Sequence, residues 1–322
     1  MSWVLEVRHV TTYRYANPVE FGEHRLMFRP RSGHDNRVLD ASVTVSPASD
    51  IRWMFDVFSN SVTVITPKYL ADELRIDCAF RIANDAVQLL ELPIEPRASR
   101  IPFDYEEEER RDLGALLDPH YPDPDGLLFE WTQQFFPGTA RRDASEMLIE
   151  MAGAIKKQFR YVARDNEGTQ TPDETLRLMS GSCRDYALLM MEAVRRLGIA
   201  ARFVSGYLYD PAVDGGEGSV IGAGATHAWM QAYLPGAGWV PFDPTNEIVG
   251  GPSLIRVAVA RDPSQAAPLS GTWYGAPNDY LGMDVDVSVR RRWIDEAHER
   301  IPPAQLGIDF TLAQEQAAAQ AG

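Results

Sequence analysis

The first hundred residues alternate between apolar and polar positions. Between residues 74 and 82 every second residue is apolar, with mostly charged residues between them. A period of two is typical of a half-buried β-strand. Shorter runs repeat the pattern at 41–45 and 62–64, and turn-forming residues separate the runs. We therefore predict an antiparallel, β-sandwich-like amino-terminal domain over residues 1–100.

Helical spacing replaces this alternation after about residue 140. Helices are predicted to begin after Asp143, after Thr171 and at Cys183, because a capping residue precedes each start. Apolar stripes of helical period follow Asp143 and Cys183. Strands are predicted at about 201–209, 226–234 and 239–242. Helices followed by strands, without regular βαβ alternation, favour an α+β fold.

The same pattern divides the chain into segments. Proline and acidic residues are frequent around 93–109, which indicates a connection between two domains. We assign residues 101–142 to a linker with short helices, 143–290 to a core with a carboxy-terminal extension, and 291–322 to a carboxy-terminal segment that is partly disordered. A chain of 322 residues is long enough for two domains.

Charge and cysteine content narrow the classes of function. The formal charge is −15, so phosphate backbones and anionic membranes are unfavourable partners. Charged residues at Glu6 and Arg8 interrupt any amino-terminal apolar run, and no stretch reaches the length of a membrane helix. We therefore expect a cytoplasmic location. Two cysteines make no disulfide framework.

Cys183 is the first candidate for chemistry. It follows Gly181 and Ser182 at the predicted start of a helix, where free backbone N–H groups and the helix dipole favour an anion. A thiolate in this position has a lowered pKa and is the nucleophilic form. A buried structural cysteine is an equally good interpretation of Cys183 alone. Cys78 lies on the apolar face of its strand, where a structural role is expected.

His227 and Asp243 are candidates to activate that thiol. Imidazole is the side chain whose ordinary pKa suits a base at neutral pH, and a carboxylate that accepts its Nδ1–H would fix the tautomer. Taken singly, His227 could be a core histidine, and Asp243, before Pro244, a turn residue. In chain order the three residues form a Cys–His–Asp arrangement that neighbouring antiparallel strands and a facing helix could assemble.

The segments around these residues resemble one known family. Residues 181–187, 196–207 and 226–229, together with 238–239 and 242–246, are similar to the bacterial transglutaminase-like superfamily. Residues within 13–60 resemble the β-rich domain that precedes this core in many bacterial members. The resemblance implies a papain-like α+β core that follows a β-rich domain.

The resemblance also implies roles for individual residues. It makes Cys183 the nucleophile, His227 the base and Asp243 the group that orients the base. Tyr161 resembles an aromatic residue near the cleft of relatives, where it would donate to the oxyanion, although core packing is the alternative. Trp229 is a second candidate for the cleft wall, or for the core.

The expected chemistry is acyl transfer through a thioester. Water as acceptor gives a peptidase or amidase, and an amine acceptor gives a transglutaminase; we favour hydrolysis because bacterial relatives are commonly regarded as proteases. The substrate is then a peptide or protein, and no cofactor is required. A non-catalytic peptide-binding scaffold is one alternative, although all three candidates are present. A Cys–His–Asp metal site is disfavoured because the paired CxxC or HxxxH ligands of structural zinc sites are missing from the sequence.

Overall fold

The structure is a computed structural model that describes residues 2–33, 36–84, 93–136, 141–164, 168–215 and 220–294. The predicted carboxy-terminal segment therefore lies outside the described residues, except for 291–294, which end the last strand.

One long strand, β1, organises the amino-terminal domain. The strands of this domain are β1 Ser2–Arg29, β2 Asn36–Ser46, β3 Ser49–Phe55, β4 Ser61–Pro67 and β5 Ala71–Asn84. The first half of β1 pairs with β5, and the second half pairs with β4. Outside these pairs, β2 lies on β5 and β3 lies on β4, so two antiparallel sheets share β1.

The space between the two sheets is filled by apolar side chains. Leu26 and Ile65 come from one sheet, and Leu74, Ile76 and Cys78 from the other, and all five are buried. The alternation of residues 74–82 thus points one face of β5 into this core, as the sequence predicts. The sandwich-like amino-terminal domain is confirmed.

The extension behind the core contributes to these same sheets. After β6 to β14, which are described below, come β15 Leu269–Tyr274 and β16 Tyr280–Ile294. β15 pairs with the second half of β1, and β16 pairs with the first half. The sequence grouped residues 269–290 with the core, but a two-residue period does not specify which sheet a strand joins.

The second half of the chain is a mixed helical and antiparallel core. Its helices are α3 Ala144–Gln158, α4 Pro172–Leu178 and α5 Cys183–Arg196. Its five-stranded sheet has the order β13-β12-β11-β10-β14, with β10 Ala201–Leu208, β11 Thr226–Leu234, β12 Gly238–Asp243, β13 Ile248–Val249 and β14 Leu254–Ala260. Two short strands, β8 Arg160–Tyr161 and β9 Ser180–Gly181, run parallel in front of α5. The α+β class is confirmed.

Helix α5 lies at the centre of this core. The predicted apolar stripe of α5 is buried from Tyr186 to Val194 and half-buried at its last residue, Leu197. The remaining faces of the middle turns are buried as well. Glu192 and Arg195 are among these buried residues, and their side chains form an ion pair of 2.7 Å. Backbone groups complete the pair: Arg195 donates to the carbonyl of Ala201, and Glu192 accepts from the N–H of His120.

The segment between the domains packs on the core. It contains α1 Glu107–Leu113, α2 Leu127–Gln133 and the strand pair β6 Arg100–Ile101 with β7 Arg142–Asp143. The Tyr105 hydroxyl donates to the carbonyl of Tyr233 and accepts from the N–H of Ala200. Leu128 and Phe135 are buried. Much of this predicted linker is therefore part of the hydrophobic core.

The two domains share a continuous interface. Apolar residues of β1, β5 and β16 pack against Tyr207, Ile255 and Val257 of the core sheet. Asn60 joins the β4 end of the sandwich to β14 through two hydrogen bonds with the backbone of Val259, at 2.7 and 2.9 Å. Among the described helices, none is long and apolar enough to cross a membrane.

Candidate active site

Cys183 is the first residue of α5, as the sequence predicts. Ser182 caps the helix, and the Asp185 carboxylate accepts from both the N–H and the hydroxyl of Ser182, at 2.7 and 2.8 Å. Gly181 is required at its position because a Cβ there would lie 2.9 Å from the Asp185 Cβ. The Cys183 side chain is half-buried, with its thiol at the amino-terminal end of the helix dipole.

The buried carboxylate of Asp185 holds the segments in front of Cys183 in place. The side chain of Asp185 pairs with Arg164, at 2.6 Å. The same carboxylate also accepts from the N–H of Gln170, at 2.7 Å. Since Arg164 follows β8 and Gln170 precedes α4, one carboxylate ties three segments together around the thiol.

His227 and Asp243 lie on neighbouring strands and form a hydrogen bond. The pairing of Met230 with Phe242 places Asp243 diagonally across β11 and β12 from His227. His227 Nε2 is 2.8 Å from Asp243 Oδ2, and both side chains are fully buried. Our expectation that Nδ1–H would donate to the carboxylate is therefore wrong. The ring is turned so that Nδ1 points away from Asp243, and among the described residues this nitrogen has no hydrogen-bond partner.

Cys183 completes this line from the helix side. Its thiol lies close enough to the His227 ring and to the N–H of Ala228 for both groups to lower its pKa. Burial by itself would raise the pKa of the Cys183 thiol, but the proximity and charge of His227 outweigh it and hold that pKa below its usual value.

The pKa values of His227 and Asp243 are also shifted, each in the direction that favours the charged form. Burial opposes the charged imidazole, yet the charge and hydrogen bond of Asp243 raise the pKa of His227. The imidazolium in turn lowers the pKa of Asp243, again against burial. A lowered thiol pKa beside a raised imidazole pKa favours a thiolate–imidazolium pair, which is the reactive form of a cysteine nucleophile.

Asn246 is a member of the site that the sequence did not single out. Its amide Nδ2 donates to Asp243 Oδ2 at 2.9 Å. The Asp243 Oδ1 atom accepts from the N–H of Thr245, also at 2.9 Å. The sequence signal was the run Asp-Pro-Thr-Asn that follows β12, in which the turn brings Asn246 back to the carboxylate it follows.

Tyr161 is brought to the thiol. It ends β8, and the pairing of β8 with β9 sets it beside Gly181. Its hydroxyl lies within hydrogen-bonding reach of Cys183; burial first and the thiolate charge second raise the pKa of this phenol to about 12. The phenol therefore stays protonated at neutral pH, as a hydrogen-bond donor must.

Trp229 lies behind His227 and away from solvent. The two rings stack at 28° with centroids 6.0 Å apart, and Trp229 is only 1% exposed. It packs with Val204 and Val259 in a small apolar cluster. This position supports the imidazole from the rear.

Cys78 provides an internal comparison for Cys183. It is 4% exposed in the core of the sandwich and lies opposite His9 across β1 and β5, but the two ring nitrogens of His9 bond to the hydroxyls of Tyr207 and Thr11. Burial raises the pKa of its thiol well above the usual value. The two cysteines of the chain therefore have opposite shifts.

Comparisons with known families match both halves of the chain. The family model described as the transglutaminase-like superfamily matches residues 134–244, which include Cys183, His227 and Asp243. The model described as the bacterial transglutaminase-like N-terminal region matches residues 5–83. Together they cover more than half of the chain.

Similar proteins occur in several bacteria. An uncharacterised protein of Mycobacterium leprae is 25% identical over 291 residues, or 89% of this chain and 99% of that protein. A protein-glutamine gamma-glutamyltransferase of Pseudomonas aeruginosa is 35% identical over 69 residues, which are 21% of this chain and 10% of that protein. The crystal structure of a candidate cysteine protease from Cytophaga hutchinsonii has a TM-score of 0.64 at 19% identity and covers 92% of both chains. This last likeness shows a shared fold.

Proposed function

Because this chain belongs to the transglutaminase-like superfamily, we propose that it is a cysteine-dependent acyl-transfer enzyme that acts on amide or peptide bonds. The observation that carries the proposal is the line of polar groups from Asp243 through His227 to Cys183. The line ends at Cys183, a partly exposed residue at a helix amino terminus, where a substrate carbonyl could approach.

The first step is attack of the Cys183 thiolate on the substrate carbonyl carbon. A carbon–sulfur bond forms, and the carbonyl π electrons move to oxygen to give a tetrahedral oxyanion. When this intermediate collapses, the carbon–nitrogen bond breaks and the His227 imidazolium gives its proton to the leaving amine. Asp243 stabilises the charged ring before this transfer and keeps its orientation after it.

The second step releases the acyl group from sulfur. Neutral His227 takes a proton from the incoming water or amine, which attacks the thioester carbonyl. The carbon–sulfur bond then breaks and the thiolate and imidazolium are restored. The same three side chains therefore serve both acceptors.

The oxyanion requires hydrogen-bond donors close to the thiol. Cys183 and Arg184 begin α5, and backbone N–H groups at a helix start ordinarily have no intrahelical acceptor, so these two groups are candidate donors. The Tyr161 hydroxyl, which reaches Cys183, supports a role as an additional donor. Trp229 serves as a rear support of the imidazole rather than as a donor in this proposal.

We favour hydrolysis over transfer to an amine, with a peptide or protein as substrate. The shared fold with a candidate cysteine protease extends over almost the whole chain. Transglutamination or deamidation is the second candidate, because the similarity to a protein-glutamine gamma-glutamyltransferase falls on a short segment of 69 residues. A non-catalytic scaffold is the third, and it gives no reason for a thiolate–imidazolium pair.

Selective alkylation tests the proposed nucleophile. Iodoacetamide at mildly acidic pH should label Cys183 rapidly and Cys78 slowly, because only Cys183 has a lowered pKa. Cys78→Ala is the matched control and should keep the fast reaction, whereas Cys183→Ala should lose it. Equal, slow labelling of both cysteines would remove the enzyme proposal.

A thioester trap then separates the two acceptors. A library of peptides that contain internal glutamine is incubated with the wild-type protein and a fluorescent primary amine. Backbone cleavage without amine incorporation supports a peptidase, and amine incorporation supports a transglutaminase. Neither product should appear with Cys183→Ala.

A further inference from the structure

Asn246 makes contacts that the reaction steps above do not use. Its Nδ2 donates to Asp243 Oδ2 at 2.9 Å, which is the same oxygen that accepts from His227 Nε2 at 2.8 Å. The Asp243 carboxylate is fully buried, so no water can take the place of a missing donor without rearrangement. Asn246 is therefore one of the groups that fix where this oxygen lies.

The other side of the Asn246 amide holds a loop. Its Oδ1 accepts from the N–H of Ile221 at 2.8 Å, and its Nδ2 also donates to the carbonyl of Ile221 at 3.0 Å. Rotation of the amide by half a turn would place Oδ1 against the Asp243 carboxylate and Nδ2 against the Ile221 N–H. Three contacts thus select one orientation of a single side chain.

The loop residue after Ile221 covers the imidazole. Gly222 has a φ of +93°, and a Cβ at this position would lie 2.7 Å from His227 Nδ1. The backbone of Gly222 is therefore packed on the ring nitrogen that Asp243 does not bind. The position of Ile221 consequently decides how much room remains at this nitrogen.

Asn246 is itself anchored from a third direction. Lys156 of α3 donates to the Asn246 carbonyl at 3.0 Å, and Lys156 and Glu247 lie 3.8 Å apart. The charged groups around the Asn246 amide are thus Asp243 and His227 inside the protein and Lys156 and Glu247 toward solvent. A fixed backbone lets the short side chain act as a spacer between the Asp243 carboxylate and the loop.

We propose that Asn246 is a positioning residue, which holds the Asp243 carboxylate in line with His227 and at the same time ties residues 221–222 against the imidazole. The inference rests on the proposed function, because it concerns the activation of Cys183. It assigns to one amide the joint control of both ring nitrogens of His227.

The pH dependence of Cys183 alkylation tests this assignment. Asn246→Ala removes both contacts, so the rate relative to wild type should fall about tenfold at neutral pH, as expected for a lost hydrogen bond to a charged group. Asn246→Asp keeps an acceptor for Ile221 but places a second carboxylate beside Asp243. Its rate relative to wild type should be close to one at mildly acidic pH, where the pair shares a proton, and should fall below that of Asn246→Ala as the pH rises.

A second hydrogen-bonded Asn–Asp pair, in the amino-terminal domain, provides the control for an Asn→Asp substitution. Asn17 donates to Asp279 at 2.8 Å in the amino-terminal domain, and Asn17→Asp should leave the alkylation profile unchanged. If Asn246→Ala unfolds, Asn246→Ser provides the same test, because one hydroxyl can serve Ile221 or Asp243 but not both. It should give a rate between those of wild type and the tenfold loss.

Three results have distinct meanings. Equal, pH-independent losses in Asn246→Ala and Asn246→Asp would reduce Asn246 to a loop anchor and overturn the inference. Wild-type rates in both variants at every pH would also overturn it. Slow alkylation of wild-type Cys183 itself would instead defeat the proposed function, whatever the variants do.

Discussion

At the scale of single residues, one hydrogen bond shows that Nε2 is the ring nitrogen of His227 that binds the Asp243 carboxylate. The sequence placed Asp243 near His227 but assigned the wrong nitrogen to it, because strand spacing does not specify the rotation of a side chain about χ2. The ring orientation depends on contacts from Gly222 and Trp229, which lie on different segments. The sequence therefore predicted that His227 and Asp243 lie close together, but it did not predict which ring nitrogen faces the carboxylate.

Removal of the negative charge at Asp243 should weaken the thiolate. In Asp243→Asn the charge that raises the pKa of His227 is lost, so imidazolium should deprotonate at a lower pH. The alkaline limb of a kcat/KM profile should therefore move to lower pH, and kcat/KM at neutral pH should fall at least about tenfold. Asp50→Asn, at an exposed carboxylate of β3, is the control. An unmoved alkaline limb would speak against an ion-pair mechanism.

Loss of the Tyr161 hydroxyl should slow the chemical step alone. If this phenol donates to the oxyanion, Tyr161→Phe should lower kcat by roughly 10- to 100-fold with little change in KM. Alkylation of Cys183 should fall less than kcat, because that reaction forms no oxyanion and loses only the contact between the phenol and the thiolate. The exposed Tyr69 offers the matched substitution Tyr69→Phe. An unchanged kcat would return Tyr161 to the core-packing interpretation.

At the scale of elements, the start of α5 depends on the buried carboxylate of Asp185. The start of the helix was predictable because Gly181, Ser182 and Cys183 are local signals. The partners of Asp185, Arg164 and Gln170, are 21 and 15 residues away and carry no such signal. The buried Glu192–Arg195 pair shows the same limit, because charged residues within a helix ordinarily predict an exposed face.

Truncation of Asp185 should destabilise the protein and displace the thiol. Asp185→Ala would leave the Arg164 guanidinium and two backbone N–H groups without their acceptor in a buried site. A cost of about 3–5 kcal/mol is typical for one removed partner of a buried pair. Asp173→Ala, on the partly exposed Asp173–Arg177 pair of α4, should cost less than about 1 kcal/mol. Urea unfolding of both variants measures the difference, and equal losses would contradict the buried role.

At the scale of the whole molecule, the two domains meet through a histidine. His9 of β1 is 3% exposed, and its Nδ1 is 3.0 Å from the hydroxyl of Tyr207 in β10. Its Nε2 is 3.0 Å from the hydroxyl of Thr11. Within the described part of the chain no carboxylate pairs with either nitrogen, and burial lowers the pKa of His9 to about 4. The interface is therefore built around a neutral imidazole.

Acid should loosen this interface. Since the pKa of His9 is about 4 when folded and 6.5 as a free group, its contribution to stability is complete above pH 6.5 and decreases as the pH falls toward 4. The full loss amounts to about 3 kcal/mol. His9→Gln cannot titrate and should show a weaker decrease of the unfolding free energy between pH 6.5 and 4. If the unfolding free energy decreases equally with pH in the wild type and in His9→Gln, His9 does not cause the decrease.

Domain boundaries were less predictable from sequence than elements. The segment between β14 and β15 holds a short 3-10 helix, Pro263–Ala266, and lacks an acidic run like that at 104–109, so its composition does not mark the point where the chain returns to the first sheets. Only the cross-strand partners show it, for example Val7 opposite Val289. Such pairs are separated by most of the sequence, and single-sequence patterns report near neighbours.

The pairing of β1 with β16 also orders events during synthesis. β1 emerges from the ribosome before every other described strand, and β16 emerges after all of them. Until then, the edge of β1 that faces β16 offers open N–H and carbonyl groups to any nascent neighbour. A protein assembled in this order completes its first sheets only after the segment that holds Cys183 has been translated.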